Sequence, residues 1–328
     1  MKILVPYREE IADAIQAILG NKAQVVRSER TAQDMLEKGS DAVAVASGRV
    51  PSEYIRRAKN LKMIQAFGAG VDKIDHDAVL DRGDLIVCNN HVNADEVAEY
   101  AIMLLLAVAK HIIPSHEKLR EGDWSLGWGS DRPNIEIRKK RFLIIGLGSV
   151  GAAIARRLQG FDLKITAVTR TGESDSEQMA DKLVSVEEIE GVVRQADFVI
   201  LSLPLTDESE GLVDEEFLSW MKPTSILVNV SRGPIIKESA LYHALQDNKI
   251  AGAAIDVWWE YPKEWGGTSK LPSENYPFHK MENVVLSPHR AGYSEHINEE
   301  QLRFVGENIL RFIQGEEPEN QVDPERGY

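Results

Sequence analysis

The segment RFLIIGLGSVGAAIARRLQ, residues 141–159, constrains the fold more than any other part of the chain. An apolar run, Phe142–Ile145, breaks at Gly146-Leu147-Gly148-Ser149-Val150-Gly151, and a helical pattern follows over Val150–Leu158. A buried strand feeding a glycine turn and then a helix opens a βαβ unit, and such units assemble parallel sheets covered on both faces. The three glycines have separate tasks. Gly146 makes the tight turn, Gly148 lets an anionic group approach the backbone, and Gly151 lets helix pack closely on strand. Unpaired N–H groups at the helix start then face the anion. In this context the pattern reads as a dinucleotide site, the alternative being an ordinary strand–turn–helix.

The same alternation runs through the rest of the chain. Before the turn, strands are predicted at Lys2–Val5, Gln24–Val26, Ala42–Val45, Met63–Ala66 and Leu85–Cys88, with helices such as Glu9–Leu19 and Ser52–Ala58 between them. After it, strands are predicted at Lys164–Val168, Phe198–Ser202, Ser225–Val230, Gly252–Asp256 and Val284–Leu286. Helices are predicted at Val186–Val193, Glu215–Met221, Ser239–Gln246 and Asn298–Ile313. A long helix from about Asp95 carries a wide apolar face (Val97, Ala98, Ala101, Leu104, Leu105, Val108), and the Gly-, Trp- and Pro-rich stretch Glu121–Glu136 reads as an irregular crossover. The 328 residues suffice for two domains at about 150 each. The last helix falls after the second sheet is complete, so it is expected to return to the first domain.

Composition narrows the partners. Thirty-eight Lys and Arg stand against 52 Asp and Glu, a net charge of −14. A field of that sign argues against nucleic acid or an anionic membrane surface, while one local arginine can still receive a small anion. The single cysteine, Cys88, excludes an intramolecular disulfide, a thiolate metal cluster and a CxxC pair, and no metal site is expected. The opening MKILVPYREE reads as a first strand and not a signal peptide, and the apolar run Ile102–Ala109 falls far short of the ~20 residues of a bilayer span. The expected setting is cytoplasmic.

Four further stretches carry chemistry. The strand after the glycine turn ends in Thr169-Arg170-Thr171, where an adenosine ribose is usually met by Asp or Glu. A guanidinium there suits a ribose 2′-phosphate and points to NADP in preference to NAD, the alternative being an Arg170 that is solvated or stacked on adenine. Asn229-Val230-Ser231-Arg232-Gly233 closes an apolar strand, and Arg232 can clamp a carboxylate and polarise the carbonyl beside it, or simply cap the strand. His289, in Ser287-Pro288-His289-Arg290, titrates near neutrality and suits proton transfer to a forming alkoxide. Asp256 ends an apolar strand, where a carboxylate is costly unless bonded, so it either receives a nicotinamide carboxamide or caps its own turn. In the first domain, Phe67-Gly68-Ala69-Gly70-Val71-Asp72 can expose backbone N–H groups to an anion or form a plain tight turn.

Taken in order, GAGVDKID, VNADEVAEYA, IIGLGSVG, LPLTDESEGLV, LVNVSRGPII, GAAIDVWWEYP, SPHRAG and the tail GEEPENQVDPERGY resemble the D-2-hydroxyacid dehydrogenase family over nearly the whole chain. The resemblance implies two Rossmann-like parallel-sheet domains, with the cofactor domain (99–289) inserted into a discontinuous substrate domain (1–98 and 290–328), and a homodimer. It implies that Arg232 binds the carboxylate and carbonyl of a 2-oxo acid, that His289 is the acid/base, and that Asp256 lies near the nicotinamide carboxamide. Ala69, Gly70 and Val71 would meet the substrate carboxylate through their backbone. Leu203 and Pro204 would line the adenine pocket. Gly146–Gly151, Thr169, Arg170, Thr171 and Val230 would complete the NADP site, with NAD as the other dinucleotide.

One position departs from the pattern. The family places a glutamate just before the proline that follows the aspartate strand, where it pairs with the histidine; here Tyr261 precedes Pro262 and Glu260 lies one residue earlier. A carboxylate would favour the imidazolium and keep it a proton donor, whereas a tyrosine hydroxyl can orient the ring without supplying charge. Either Glu260 reaches His289 or Tyr261 replaces it. Trp258, Trp259, Trp265, Gly266 and Gly267 follow in the same region, as cleft wall or as core. The expected activity is reversible reduction of a 2-oxo acid to a D-2-hydroxy acid. The rival readings are a non-catalytic dinucleotide-sensing scaffold and a dehydrogenase of formate or phosphite.

Overall fold

Short β-branched runs separated by amphipathic helices pair side by side, and every strand pairing in the computed structural model is parallel. The structure describes residues 1–262 and 270–328, so Trp265, Gly266 and Gly267 lie outside the described residues. The chain divides into two units, Met1–Asn93 with Tyr293–Tyr328, and Ala94–Gly292.

The first unit holds β1 (Lys2–Val5), β2 (Gln24–Arg27), β3 (Ala44–Ala46), β4 (Met63–Gln65) and β5 (Ile86–Cys88), in the order β2-β1-β3-β4-β5. Helices α1 (Glu9–Leu19), α2 (Ala32–Gly39), α3 (Ser52–Arg57) and α4 (His76–Arg82) connect them. The last helix, α11 (Ile297–Gln314), packs on α1 and β4, and its Val305 and Ile309 share a core with Ile3 and Ile15. Asn308 of α11 is buried and donates to Gln65 Oε1 at 2.6 Å and to Glu319 O at 3.0 Å. The tail beyond it covers the β5 end, with Asn89 N donating to Asn320 O and Val322 N to Val87 O. Beside them Cys88 is fully buried, and burial pushes its thiol up to about 12.

The second unit is built on β6 (Arg141–Ile145), β7 (Lys164–Thr169), β8 (Lys182–Ser185), β9 (Phe198–Leu201), β10 (Ile226–Asn229), β11 (Gly252–Ile255) and β12 (Val284–Leu286), ordered β12-β11-β10-β9-β6-β7-β8. The direction of winding reverses between β6 and β9. In open parallel sheets such a switch point opens a crevice at the carboxyl ends of the strands, where ligands bind. Helix α5 (Ala94–Ala109) lies on α7 (Ser149–Leu158) and across β10 and β11.

The cuts between units fall at 93/94 and 292/293, where the sequence reading placed them at 98/99 and 289/290. The whole of α5 belongs with the second sheet because Ala98, Ala101, Leu104, Leu105 and Val108 join the core of Phe142, Ile144, Phe198 and Val228. Residues 290–292 stay there because Asp256 bonds the amides of Arg290 and Ala291. Strand β8 and helix α6 (Ile112–Arg120) were not foreseen, and α2 and α4 fall among the helices expected between the first strands without stated bounds. The predicted helix Val186–Val193 begins as a 3₁₀ turn, Val186–Glu188, before α8 (Ile189–Val193). Among the described residues no single helix is long and apolar enough to cross a membrane.

Candidate active site

Because all seven strands of the second unit run the same way, the residues after β6, β7, β9, β10, β11 and β12 lie along one edge of its sheet. Six of the stretches singled out above fall there.

The glycine turn follows β6. Gly146 has φ +96°, a left-handed conformation suited to glycine, and a Cβ on it would lie 2.7 Å from Ser202 O after β9. A Cβ at Gly151 would lie 2.0 Å from Gly146 O, so helix α7 can start this close to the strand only with glycine there. Gly148 is different: nothing lies within 4 Å of a Cβ on it, and it is the N-cap of α7 without a side-chain cap. The amides of Ser149, Val150 and Gly151 therefore open the helix toward free space, which fits a bound pyrophosphate. Leu147 is buried, and its carbonyl accepts from Ser174 Oγ at 2.9 Å, tying the turn to the loop after β7.

At the end of β7 the hydroxyl of Thr169 is spent on the backbone. It donates to Glu173 O and accepts from Gly172 N, both at 3.0 Å. Arg170 and Thr171 are exposed, and Thr171 forms a bridge with Ser185. No carboxylate occupies positions 169–171. After β9, Leu203 N donates to Ser231 Oγ at 3.1 Å, and Pro204 O accepts from Ser209 Oγ at 2.7 Å. Val230 is half-buried and closes β10 onto Leu201.

Arg232 follows β10. Its carbonyl accepts from Asn229 Nδ2 at 2.9 Å, and its Nη1 donates to Ser231 O at 2.8 Å. Gly233 is pressed on Trp258, since a Cβ there would lie 2.3 Å from the Trp258 carbonyl carbon. The segment bearing the guanidinium is thus held on both sides.

Asp256, 1% exposed, is the anchor of the histidine loop. Oδ1 accepts from Ser287 Oγ and from Arg290 N at 2.9 Å, and Oδ2 accepts from Ala291 N at 3.0 Å. Of the two readings of this carboxylate, the cap of its own turn is corrected: it caps the loop after β12, whose residues Ser287, Arg290 and Ala291 supply its donors. Ser287 Oγ also meets Tyr100 Oη of α5 at 3.0 Å. His289 is exposed with φ +54°, and its Nδ1 lies 2.9 Å from Tyr261 Oη. Glu260 does not supply that contact; its Oε2 pairs with Lys270 Nζ at 2.6 Å, which holds the lysine's pKa above its ordinary value. Trp258 is core, 5% exposed, with Nε1 donating to Ser287 O at 2.9 Å, and Trp259 Nε1 donates to Ile236 O at 2.6 Å. Sequence reasoning missed Ser174, Ser231, Ser287 and Tyr100, all small polar groups whose partners are distant in the chain.

In the first unit, the loop after β4 has its carbonyls turned inward. Gly68 O accepts from Asn90 N at 3.1 Å, Ala69 O from Asn89 Nδ2 at 3.2 Å and Val71 O from Ile74 N at 2.9 Å. The amides of Ala69, Gly70 and Val71 meet no backbone acceptor among the described residues, which fits an anion nest.

Comparison with known proteins agrees with this arrangement. Residues 102–291 match the model of the D-isomer specific 2-hydroxyacid dehydrogenase, NAD binding domain. The chain is 33% identical over 300 residues to a glyoxylate reductase of Pyrococcus furiosus, covering 89% of this chain and 86% of that one. It is 34% identical over 333 residues to a D-3-phosphoglycerate dehydrogenase of Methanocaldococcus jannaschii, covering 98% of this chain and 59% of the relative. Among solved structures, an NADPH-dependent glyoxylate/hydroxypyruvate reductase from Sinorhizobium meliloti, in complex with NADP and malonate, superposes with a TM-score of 0.80 at 28% identity. That likeness covers 98% of this chain and 97% of the other. An acyclic imino acid reductase in complex with NADPH and D-Arg gives 0.80 at 25% identity, over 98% and 100%. The glycine turn, the braced arginine and the anchored histidine thus stand in a chain that matches from end to end, and it belongs to the D-isomer specific 2-hydroxyacid dehydrogenase family, NAD(P)-dependent oxidoreductases of Rossmann fold.

Proposed function

We propose that this protein reduces a small 2-oxo acid to the D-2-hydroxy acid and prefers NADPH to NADH. The observation that carries the reading is the alignment, on one sheet edge, of an open glycine turn, an arginine after β10 and a histidine after β12. Gly146–Gly151 would hold the pyrophosphate and Arg170 the ribose 2′-phosphate, while Leu203, Pro204 and Val230 would flank the rest. NADPH, when bound, supplies the hydride that adds to C2.

The chain's own residues do the remainder. Arg232 binds the substrate carboxylate and stabilises negative charge growing on the carbonyl oxygen. His289, held at Nδ1, donates the proton that oxygen needs; the reverse proton transfer serves oxidation of the hydroxyl. The roles of Ala69, Gly70 and Val71 toward the carboxylate rest on the resemblance and on amides that meet no backbone acceptor among the described residues. The glyoxylate and hydroxypyruvate named for the relatives support a small substrate, and the bound NADP and NADPH of two solved structures support the dinucleotide.

A screen of 2-oxo acids of increasing size, run with NADPH and NADH at matched concentrations, tests this. Arg170→Ala is expected to lower kcat/KM for NADPH by about tenfold or more while leaving the NADH value within about twofold, as loss of a charge-assisted phosphate contact should. Arg232→Ala should abolish reduction. Equal efficiency of the parent with both dinucleotides defeats the NADPH preference, and retained activity in Arg232→Ala defeats the anchor.

A further inference from the structure

The group that meets His289 is a tyrosine. Tyr261 Oη receives the Trp258 backbone N–H at 3.0 Å and lies 2.9 Å from His289 Nδ1. The two rings are 5.3 Å apart between centroids and tilted by 49°. Trp258 also holds the histidine loop from its other side, through the indole donor on Ser287 O. One residue therefore fixes both the hydroxyl and the loop that carries the imidazole. We infer that Tyr261 is a positioning residue for the proton transfer assigned above, an uncharged hydroxyl fixed by the Trp258 amide that takes Nδ1 and so sets the orientation of the imidazole. The inference rests on the proposed reaction for its consequence, but the contact itself does not.

A hydroxyl both donates and accepts, so it can hold Nδ1 whether or not that nitrogen carries a proton. A carboxylate only accepts, and it favours the imidazolium by its charge. Two neighbouring carboxylates among the described residues are engaged elsewhere. Asp256 spends both oxygens on Ser287, Arg290 N and Ala291 N, and Glu260 is paired with Lys270. Arg290 adjoins His289 in the chain, and Arg232 lies on the same sheet edge; both are cationic.

The experiment uses the full chain, with NADPH and a 2-oxo acid that the parent reduces, and follows kcat against pH for three substitutions. Tyr261→Phe is expected to lower kcat by about tenfold or more with KM within about threefold, since orientation of a general acid acts on the chemical step. Tyr261→Gln, neutral and able to bond Nδ1, recovers part of that loss without moving the alkaline limb. Tyr261→Glu moves the limb up by about one pH unit or more, because a carboxylate keeps the histidine protonated longer. A Tyr261→Phe enzyme within twofold of the parent in kcat, or a Tyr261→Glu limb that does not move, overturns the inference; comparison of Tyr261→Gln with Tyr261→Glu serves if the phenylalanine variant does not fold. Should the parent reduce no 2-oxo acid, the proposed function falls but the contact stays testable. The NMR titration midpoint of His289 then rises in Tyr261→Glu if the two side chains meet and stays at the parent's value if they do not.

Discussion

At the scale of single residues, the glycines of the turn do unlike things that their common letter hides. Gly148 borders open space at an ordinary φ of −82°, whereas Gly151 has no room for a methyl. Gly148→Ala is therefore expected to leave the thermal midpoint within a degree or two, yet raise the NADPH Kd by about tenfold or more, because the methyl stands where a phosphate would approach the backbone. Gly151→Ala should destabilise the fold itself by about 1–3 kcal/mol through overpacking. Calorimetry of both variants with and without dinucleotide separates the two effects. The packing task of Gly151 was legible from spacing alone. The task of Asp256 was not. Its partners, Ser287, Arg290 and Ala291, lie 31 to 35 residues away, and nothing in the local pattern tells a ligand contact from a loop anchor. The same holds for Tyr261 and Glu260, adjacent in sequence, of which the fold turns one to His289 and the other to Lys270.

At the scale of elements, strands buried on both faces announced themselves as apolar runs, and β1, α1 and β12 begin and end where the sequence placed them. The elements that were not delimited from the sequence have weak apolar signals. Strand β8 lies at the end of the strand order beside β7, and it buries Val184 while Lys182 stays exposed. Helix α4 did carry a legible signal in its caps. Asp75 accepts from Ala78 N at 2.9 Å, and Gly83 closes the helix at φ +64°. Hydrogen bonds from the Ser52 side chain and the Ala78 amide, with Arg56 nearby, hold the Asp75 carboxyl below the usual range. Asp75→Ala should cost about 1 kcal/mol of stability, the ordinary value of an N-cap, without changing kcat. Urea titration of the variant against the parent checks this; an unchanged midpoint would show that the cap contributes nothing.

At the scale of the whole molecule, the carboxylates set the acid limit. Asp34, Asp84, Asp95, Asp181, Asp197 and Asp214 all sit below the ordinary carboxylate pKa. For Asp197, burial pushes the other way, and the bonds from Lys222 and the Arg141 amide overcome it. A pKa depressed by folding adds stability that is present above the unfolded value and is lost as pH falls through the folded one. The thermal midpoint should thus fall most steeply below about pH 4, where these groups bind protons, while burial holds His91 and His111 below the ordinary histidine value and adds a shallower fall that starts near pH 6.5. A midpoint already falling steeply between pH 7 and 6 would assign the loss to histidines instead. The sequence by itself determined the alternation of strand and helix, the dinucleotide turn, the family and the return of the last helix, because each is written in local spacing or in the order of motifs. Only the tertiary structure decided that α5 joins the second core, that Asp256 anchors the loop of His289, and that a tyrosine hydroxyl meets the imidazole. Those are contacts between residues far apart in the chain or choices between neighbours, and they are settled by which backbone and side-chain groups must find partners once water is excluded.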